Sequence, residues 1–97
     1  MADVRFTEQA IADLEDIFVY TIETFGELQA ERYKASLERV CRRIADDPRL
    51  GRPIAGASRS FFHYPCESHI VFYMKQSDGV LIVRILHAAM DFVRHLP

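Results

Sequence analysis

The most apolar stretch of the chain covers residues 80–86 and contains Arg84 as its only polar residue. A short run rich in β-branched side chains predicts a strand rather than a helix. Because successive side chains alternate between the two faces of a strand, Leu81, Val83, Ile85 and His87 should share one face. Val80, Ile82, Arg84 and Leu86 should share the other. Both faces are mainly apolar, so we expect a central strand that is covered on both sides.

Two long segments in the first half of the chain show helical periodicity. Thr7 is suited to cap the first helix, and its apolar stripe is Ile11, Leu14, Phe18, Ile22 and Phe25. Gly26 breaks the pattern, and a second stripe follows with Ala30, Tyr33, Leu37, Val40 and Ile44. Pro48 should end the second helix, because the residue before a proline disfavours the helical conformation. These segments predict an antiparallel helical hairpin.

The remaining short segments predict a sheet. Residues 3–6 alternate, residues 61–64 form a strand that Pro65 should stop, and residues 69–74 alternate again. Asp78 and Gly79 predict a hairpin turn into the central strand, while residues 49–60 have no period and read as a loop. The residues after His87 no longer alternate and favour a short C-terminal helix. The predicted fold class is α+β, with the order β-α-α-β-β-β. The helical hairpin packs on a four-stranded, mainly antiparallel sheet in one domain, residues 1–97.

Composition and charge narrow the function classes. The chain has 97 residues and a net charge of −2, so no global positive charge attracts nucleic acid. No apolar run approaches the ~20 residues of a membrane span, and the first residues lack a secretory signal pattern, so we expect a cytoplasmic protein. Seven acidic residues fall between Glu8 and Glu31, and seven basic ones between Arg32 and Arg52. The two helices therefore either pair across their seam or keep solvated charged faces.

Motifs for metal or nucleotide chemistry do not stand out. Cys41 and Cys66 form no metal-binding or redox pattern and are interpreted as ordinary thiols. The four histidines fit no standard metal spacing, so neither a metal nor another cofactor is predicted. Acid–base chemistry on RNA would need a base, an acid and cations. Six residues could converge for it on one sheet face: Arg59, His63, Glu67, Arg84, His87 and Arg94.

Arg84 and His87 interrupt the central strand, and the role of each can be interpreted in two ways. Arg84 cannot lose its charge, so it must reach water, a carboxylate or a partner. His87 stands at the end of the strand, where binding sites are often built. The alternatives are a purely structural pairing and a functional contact, and both stay open from the sequence.

Taken together, these residues resemble the ParE branch of the ParE/RelE superfamily of bacterial toxins. The first half matches at Ala10, Asp13, Leu14, Ile17, Tyr20, Gly26, Gln29, Ala30, Tyr33, Pro48 and Gly51. The second half matches at SHIVFY (residues 68–73), VRILH (residues 83–87), Met90, Asp91, His95 and Leu96. The order and spacing of these pieces extend over nearly the whole chain, which makes the resemblance more specific than any single piece.

The resemblance implies a toxin that a cognate ParD-like antitoxin holds inactive in a type II toxin–antitoxin system. It also implies inhibition of DNA gyrase by protein binding, with no catalytic residue, no membrane contact and no nucleic acid contact except through the antitoxin. The RelE branch implies the alternative, a ribosome-dependent mRNA endonuclease that often uses lysines. This chain carries few lysines in the sheet half, where Lys75 lies beside the turn. A toxin fold that only binds its antitoxin is a third alternative.

Exposed charge in the second half suggests where a target or antitoxin would touch. The candidate contact residues are Arg59, Phe61, Arg84, His87, Met90 and Arg94. An antitoxin typically lays an amphipathic segment along an apolar groove. The helical hairpin and the sheet edge are the predicted places for such a groove.

Overall fold

The computed structural model describes residues 2–56 and 60–96. The helices are α1 (Glu8–Phe25) and α2 (Glu27–Asp46), and the strands are β1 (Asp3–Phe6), β2 (Arg52–Pro53), β3 (Phe62–Cys66), β4 (His69–Gln76) and β5 (Gly79–His87). Short 3₁₀ helices cover Pro48–Leu50 and Phe92–His95. The predicted α+β class and helical hairpin are confirmed, but the described sheet has five strands rather than four. The predicted C-terminal helix is only one 3₁₀ turn.

The strand that was expected to be central lies inside the sheet. The strand order is β1-β5-β4-β3-β2, so β5 has a neighbour on each side. It pairs with β1 in parallel and with β4 in antiparallel orientation. Phe72 and Leu86 are buried on a different face from the helix-side core, which shows that both faces of the sheet are covered there.

A β-bulge in β5 changes which side chains face the helices. Phe72 lies opposite Arg84 and Tyr73 opposite Ile82, so Val83 is an extra residue on β5. A bulge reverses the alternation beyond it. Ile82 and Ile85 therefore both belong to the helix-side core, and the predicted strict alternation is wrong from Val83 onward.

The start of α1 is tied to β5 by one threonine. The Thr7 hydroxyl accepts a hydrogen bond from the Ala10 N–H at 3.0 Å, which confirms the predicted N-cap. The same hydroxyl donates to the Val83 carbonyl at 2.7 Å, so the cap also fixes the helix to the bulge. Gly26, with φ of 91°, separates α1 from α2, as the sequence pattern predicted.

The buried face of α1 differs from the predicted apolar stripe. Ala10 and Thr21 are buried, whereas Ile11 and Phe25 are exposed. The side facing the sheet is set by Ala10, Leu14, Ile17 and Thr21, at helical spacings of three and four. The stripe of α2 is confirmed, because its predicted members are buried or packed against the core: Ala30, Tyr33, Leu37, Val40 and Ile44.

The segment predicted as a loop contains structure that one tyrosine holds in place. Tyr73 donates to the Pro48 carbonyl at 2.7 Å and accepts from the Gly51 N–H at 2.9 Å. A side chain at position 51 would approach Cε1 of Tyr73 to 2.7 Å, so the close contact requires glycine. β2 follows and pairs with Phe62 and His63, and so the prediction of a structureless loop over residues 49–60 is wrong at this point.

Pro65 was predicted to stop a strand, but β3 continues through it to Cys66. β2 pairs only with Phe62 and His63, so the outer edge of β3 beside Pro65 has no partner strand among the described residues. A proline lacks the N–H that a ladder needs, and an edge position tolerates that loss.

The Tyr73 hydroxyl should contribute measurably to stability. Replacing Tyr73 with phenylalanine leaves the Pro48 carbonyl and the Gly51 N–H without their partner. We expect the free energy of unfolding in urea to fall by about 1–3 kcal/mol. Tyr64→Phe is the control, because no hydrogen bond joins the Tyr64 hydroxyl to the described residues, and its change should stay within ~0.5 kcal/mol. Equal losses in both variants would contradict this role.

Candidate functional site

Arg84, the arginine that interrupts β5, forms a largely buried ion pair with Asp13 of α1 through two hydrogen bonds. Arg84 Nε lies 2.8 Å from Asp13 Oδ2, and Arg84 Nη2 lies 2.9 Å from Oδ1. The side chains of Arg84 and Asp13 are only 17% and 12% exposed. The hydrogen bonds to Asp13 raise the pKa of the Arg84 guanidinium above its ordinary value. The partner that the charge of Arg84 requires is therefore the Asp13 carboxylate.

Asp13 also completes the hydrogen bonding of β5. The register of β1 ends at the pair Phe6–Ile82, so among the described residues no strand pairs with the later part of β5 on that side. Asp13 Oδ2 accepts the Ile85 N–H at 2.9 Å and replaces the missing strand there. Arg84 Nη1 donates to the His95 carbonyl at 3.1 Å. One carboxylate and one guanidinium therefore connect α1, β5 and the C-terminal turn.

Next to this ion pair, two histidines and a tyrosine form a polar cluster on the helix side of the sheet. His69 and His87 are a cross-strand pair whose ring centroids lie 5.4 Å apart, edge to face. The Tyr33 hydroxyl lies 2.6 Å from His69 Nδ1, and the Ala89 N–H donates to His87 Nδ1 at 3.1 Å. Burial lowers the pKa of His69, and the neighbouring His87 adds to this, while Asp13 opposes it.

Two cavities meet at this histidine pair. The first, about 320 Å³, lies between the tip of the hairpin and the end of the sheet, and its walls include Tyr20, Thr21, Phe25, Gln29, His69 and His87. The second, about 290 Å³, lies along the β5 edge and includes Asp13, Asp16, His69, Arg84, His87 and Met90. Because both cavities share His69 and His87, the two rings form a ridge between them.

The structure brings together three of the six predicted contact residues. Arg84, His87 and Met90 line the second cavity, and His87 and Met90 are exposed. Arg94 is also exposed, on the C-terminal 3₁₀ turn.

Of the other two predicted contact residues, one is buried and the other lies outside the described residues. Phe61 is only 1% exposed and packs inside the protein, so it presents no surface in this conformation. Arg59 lies outside the described residues.

Three residues of the site were not among the predicted contacts: Asp13, Tyr33 and His69. Asp13 could have been found, since it lies between Ala10 and Ile17 on the inward side of a helix, where a carboxylate needs a cation. Tyr33 carries a polar group within an apolar stripe, which is a weaker signal. His69 becomes conspicuous only once the β4–β5 register places it opposite His87.

Metal and thiol chemistry receive no geometric support within residues 2–56 and 60–96. No group of three or more histidine, cysteine or acidic side chains there could hold a metal ion. Cys41 and Cys66 are both free and buried. Burial raises the pKa of the Cys41 thiol to about 12, which disfavours the reactive thiolate. Among the described helices, none combines the length and the apolar character that crossing a membrane requires.

Comparison with known proteins identifies the family. The family model described as the ParE toxin of the type II toxin–antitoxin system parDE matches residues 4–92. The chain belongs to the ParE toxin family. It is 33% identical over 96 residues to Toxin ParE1 of Caulobacter vibrioides, which covers 99% of each chain. It is 35% identical over 88 residues to Toxin ParE1 of Mycobacterium tuberculosis, which covers 90% of each chain. The resemblance seen in the sequence is confirmed.

A solved structure shows the same ParE fold. The chain is similar to one titled as the chromosomal ParDE toxin–antitoxin system of P. aeruginosa, with a TM-score of 0.76. The likeness covers 90% of this chain and 96% of the other, at 16% identity. At that identity the comparison supports the arrangement of helices and strands and not the role of any side chain.

In this ParE protein, the contributions of Asp13 and Arg84 to the free energy of unfolding should depend strongly on each other. We expect a double-mutant cycle with Asp13→Ala and Arg84→Ala to give a coupling energy of about 1–3 kcal/mol in urea unfolding. Arg5 and Asp78 are the control, an ion pair at 3.0 Å whose side chains are half exposed. That pair should give ~0–1 kcal/mol. A coupling no larger at Asp13–Arg84 than at the control would refute the structural role.

His69 should make stability depend on pH. Because the pKa of His69 is lowered in the folded chain, its ring becomes protonated at a lower pH there than in the unfolded chain. The free energy of unfolding should therefore decrease as the pH falls from the ordinary histidine pKa of ~6.5 towards that of folded His69. His69→Gln should reduce this slope, and His95→Gln, on the exposed C-terminal turn, should not. Thermal unfolding between pH 8 and 5 measures the slopes.

Proposed function

We propose that this ParE-family protein is the toxin of a type II toxin–antitoxin pair. In this proposal, a ParD-like antitoxin neutralises it in the cytoplasm, and the released protein inhibits DNA gyrase by binding as a folded protein. The nearly complete coverage of relatives named Toxin ParE1 supports the toxin role. The structural neighbour, titled as a ParDE system, supports an antitoxin of the ParD kind.

The observation that favours docking over catalysis is that the Arg84 guanidinium is already bonded to Asp13. Phosphoryl transfer needs cations directed at the charge that develops in the transition state. Among the described residues that line the two cavities, Arg84 is the cationic side chain, and both of its Asp13 contacts are shorter than 3 Å. Lys75 is also engaged, because its Nζ lies 4.4 Å from the centre of the Phe62 ring. This arrangement supports a surface that binds a protein.

We infer that the gyrase contact includes the exposed predicted residues near the C-terminal turn. His87, Met90 and Arg94 offer a hydrogen-bonding ring, an apolar side chain and a positive charge. Arg84 would act indirectly, because it holds the His95 carbonyl and so positions this turn. Arg59 remains a proposed contact. Phe61 is left out of the proposed contact because it is buried.

The second candidate function is a ribosome-dependent mRNA endonuclease of the RelE type. The observation that favours it is the Tyr33–His69–His87 cluster, because histidine side chains in contact with one another and with a tyrosine hydroxyl could act as a general acid and base. In that case the histidines would be indispensable. A nuclease would cut mRNA in translating ribosomes and leave gyrase unaffected, whereas a chain that only binds its antitoxin would do neither.

The purified protein should trap cleaved DNA in the presence of purified gyrase and leave ribosome-bound mRNA intact. Arg94→Glu should weaken gyrase inhibition by about tenfold or more, because it reverses an exposed charge at the proposed contact. The measurement is the toxin concentration that halves supercoiling. Adding the antitoxin should abolish the effect.

Arg32→Glu is the control for this experiment, because Arg32 is an exposed arginine on α2. Both variants should unfold at the same urea concentration as the unchanged protein. If Arg94→Glu inhibits as well as Arg32→Glu, the proposed contact is wrong. Cleavage of mRNA that depends on His69 or His87, without any effect on gyrase, would replace the proposed function by the nuclease.

A further inference from the structure

The hydrogen on the His69 ring can be placed from the distance to Tyr33. The separation of 2.6 Å between the Tyr33 hydroxyl and His69 Nδ1 suits an O–H donor and is shorter than typical N–H donation. The Cys66 carbonyl, at 3.3 Å from the same hydroxyl, is the poorer acceptor. Tyr33 therefore donates to Nδ1, and the neutral His69 ring carries its hydrogen on Nε2.

The same reasoning applies to His87. Its Nδ1 accepts the Ala89 N–H at 3.1 Å, so the neutral ring carries its hydrogen on Nε2 as well. Within residues 2–56 and 60–96, neither Nε2 makes a hydrogen bond. The ridge between the two cavities thus carries two Nε2–H donors that have no acceptor among the described residues.

We propose that this histidine ridge binds the side-chain carboxylate of an apolar segment from a partner protein. A carboxylate has two oxygens that accept hydrogen bonds, one for each Nε2–H. Glu67 lies in the wall of the first cavity and Asp16 in that of the second, while the charge of Asp13 there is paired with Arg84. The two unpaired carboxylates repel anions, which disfavours a doubly charged phosphate more than a singly charged carboxylate. A cation is disfavoured because neither Nε2, which carries a hydrogen in the tautomers inferred above, has a lone pair to offer.

The surroundings of the ridge indicate a polypeptide rather than a small molecule. Tyr20 and Phe25 line the first cavity and are about two-thirds exposed. Leu28, two residues after Gly26 at the tip of the hairpin, is also about two-thirds exposed. A ligand that covers this surface and reaches the ridge needs several apolar side chains around its carboxylate.

The second cavity indicates that the carboxylate belongs to a side chain within the segment. His69 and His87 line both cavities, so the space continues past the ridge towards Met90. A segment that occupies both cavities crosses the ridge with its chain and places a glutamate or aspartate there. A C-terminal carboxylate would end at the ridge and leave the second cavity unfilled.

The test uses three synthetic peptides, of which the first two have a blocked C-terminus and the third has a free one. The first has one internal glutamate flanked by leucines, the second has glutamine in its place, and the third has its only carboxylate at the C-terminus. Titration into the ¹⁵N-histidine-labelled protein follows the Nε2–H signals of His69 and His87. We expect the glutamate peptide to shift both signals and to bind about tenfold or more tightly than the glutamine peptide.

Variants of the exposed His87 separate binding from folding. His87→Phe keeps a ring but loses the donor, and it should weaken glutamate-peptide binding to the level of the glutamine peptide. His87→Gln keeps an N–H donor and should restore part of the affinity. His95→Phe is the matched control and should bind like the unchanged protein. Phe25→Ser should weaken all three peptides alike, because it removes apolar contact.

Several outcomes would overturn the proposal: equal binding of the glutamate and glutamine peptides, tighter binding of the C-terminal carboxylate, or displacement of the glutamate peptide by inorganic phosphate. The inference rests on the proposed action by docking, but the two fail separately. Gyrase inhibition without peptide binding would remove only the carboxylate site. Peptide binding without gyrase inhibition would remove only the gyrase proposal.

Discussion

The ion pair between Asp13 and Arg84 is the interaction on which the architecture depends. An arginine inside the central strand cannot shed its charge, and a partly buried charge is tolerated only with a partner of good geometry. Asp13 meets this need with two short hydrogen bonds and also binds the Ile85 N–H. Because the same guanidinium holds the His95 carbonyl, the pair fixes the positions of α1, the sheet and the C-terminal turn together.

Local periodicity predicted the helices and most strands, and it failed where long-range contacts decide. The need of Arg84 for a partner was evident from the sequence, but its partner lies 71 positions away on another element. The extra residue at Val83 leaves no mark in a run whose only polar residue is Arg84, so the face of Ile85 could not be predicted. The short strand β2 depends on contacts that Tyr73 makes across the fold.

The candidate site was predicted less well than the fold, for a related reason. His87 and Met90 were chosen for exposure and chemistry, and they lie together beside Arg84. Phe61 carries no charge and is buried, since an aromatic side chain gains more from burial than from solvent. Pairing of His69 with His87 requires the strand register, which the residue types alone do not determine.

The distribution of charge and apolar surface on the hairpin favours action by docking. Within the described part of the chain no ion pair joins α1 to α2, although one is acidic and the other basic, so their charges remain on solvated faces. Tyr20, Phe25 and Leu28 are exposed together at the hairpin tip, where they add little to the core. A cluster of this kind exposes apolar area to water without stabilising the monomer. In the proposal made above, one partner segment covers this cluster and the histidine ridge together.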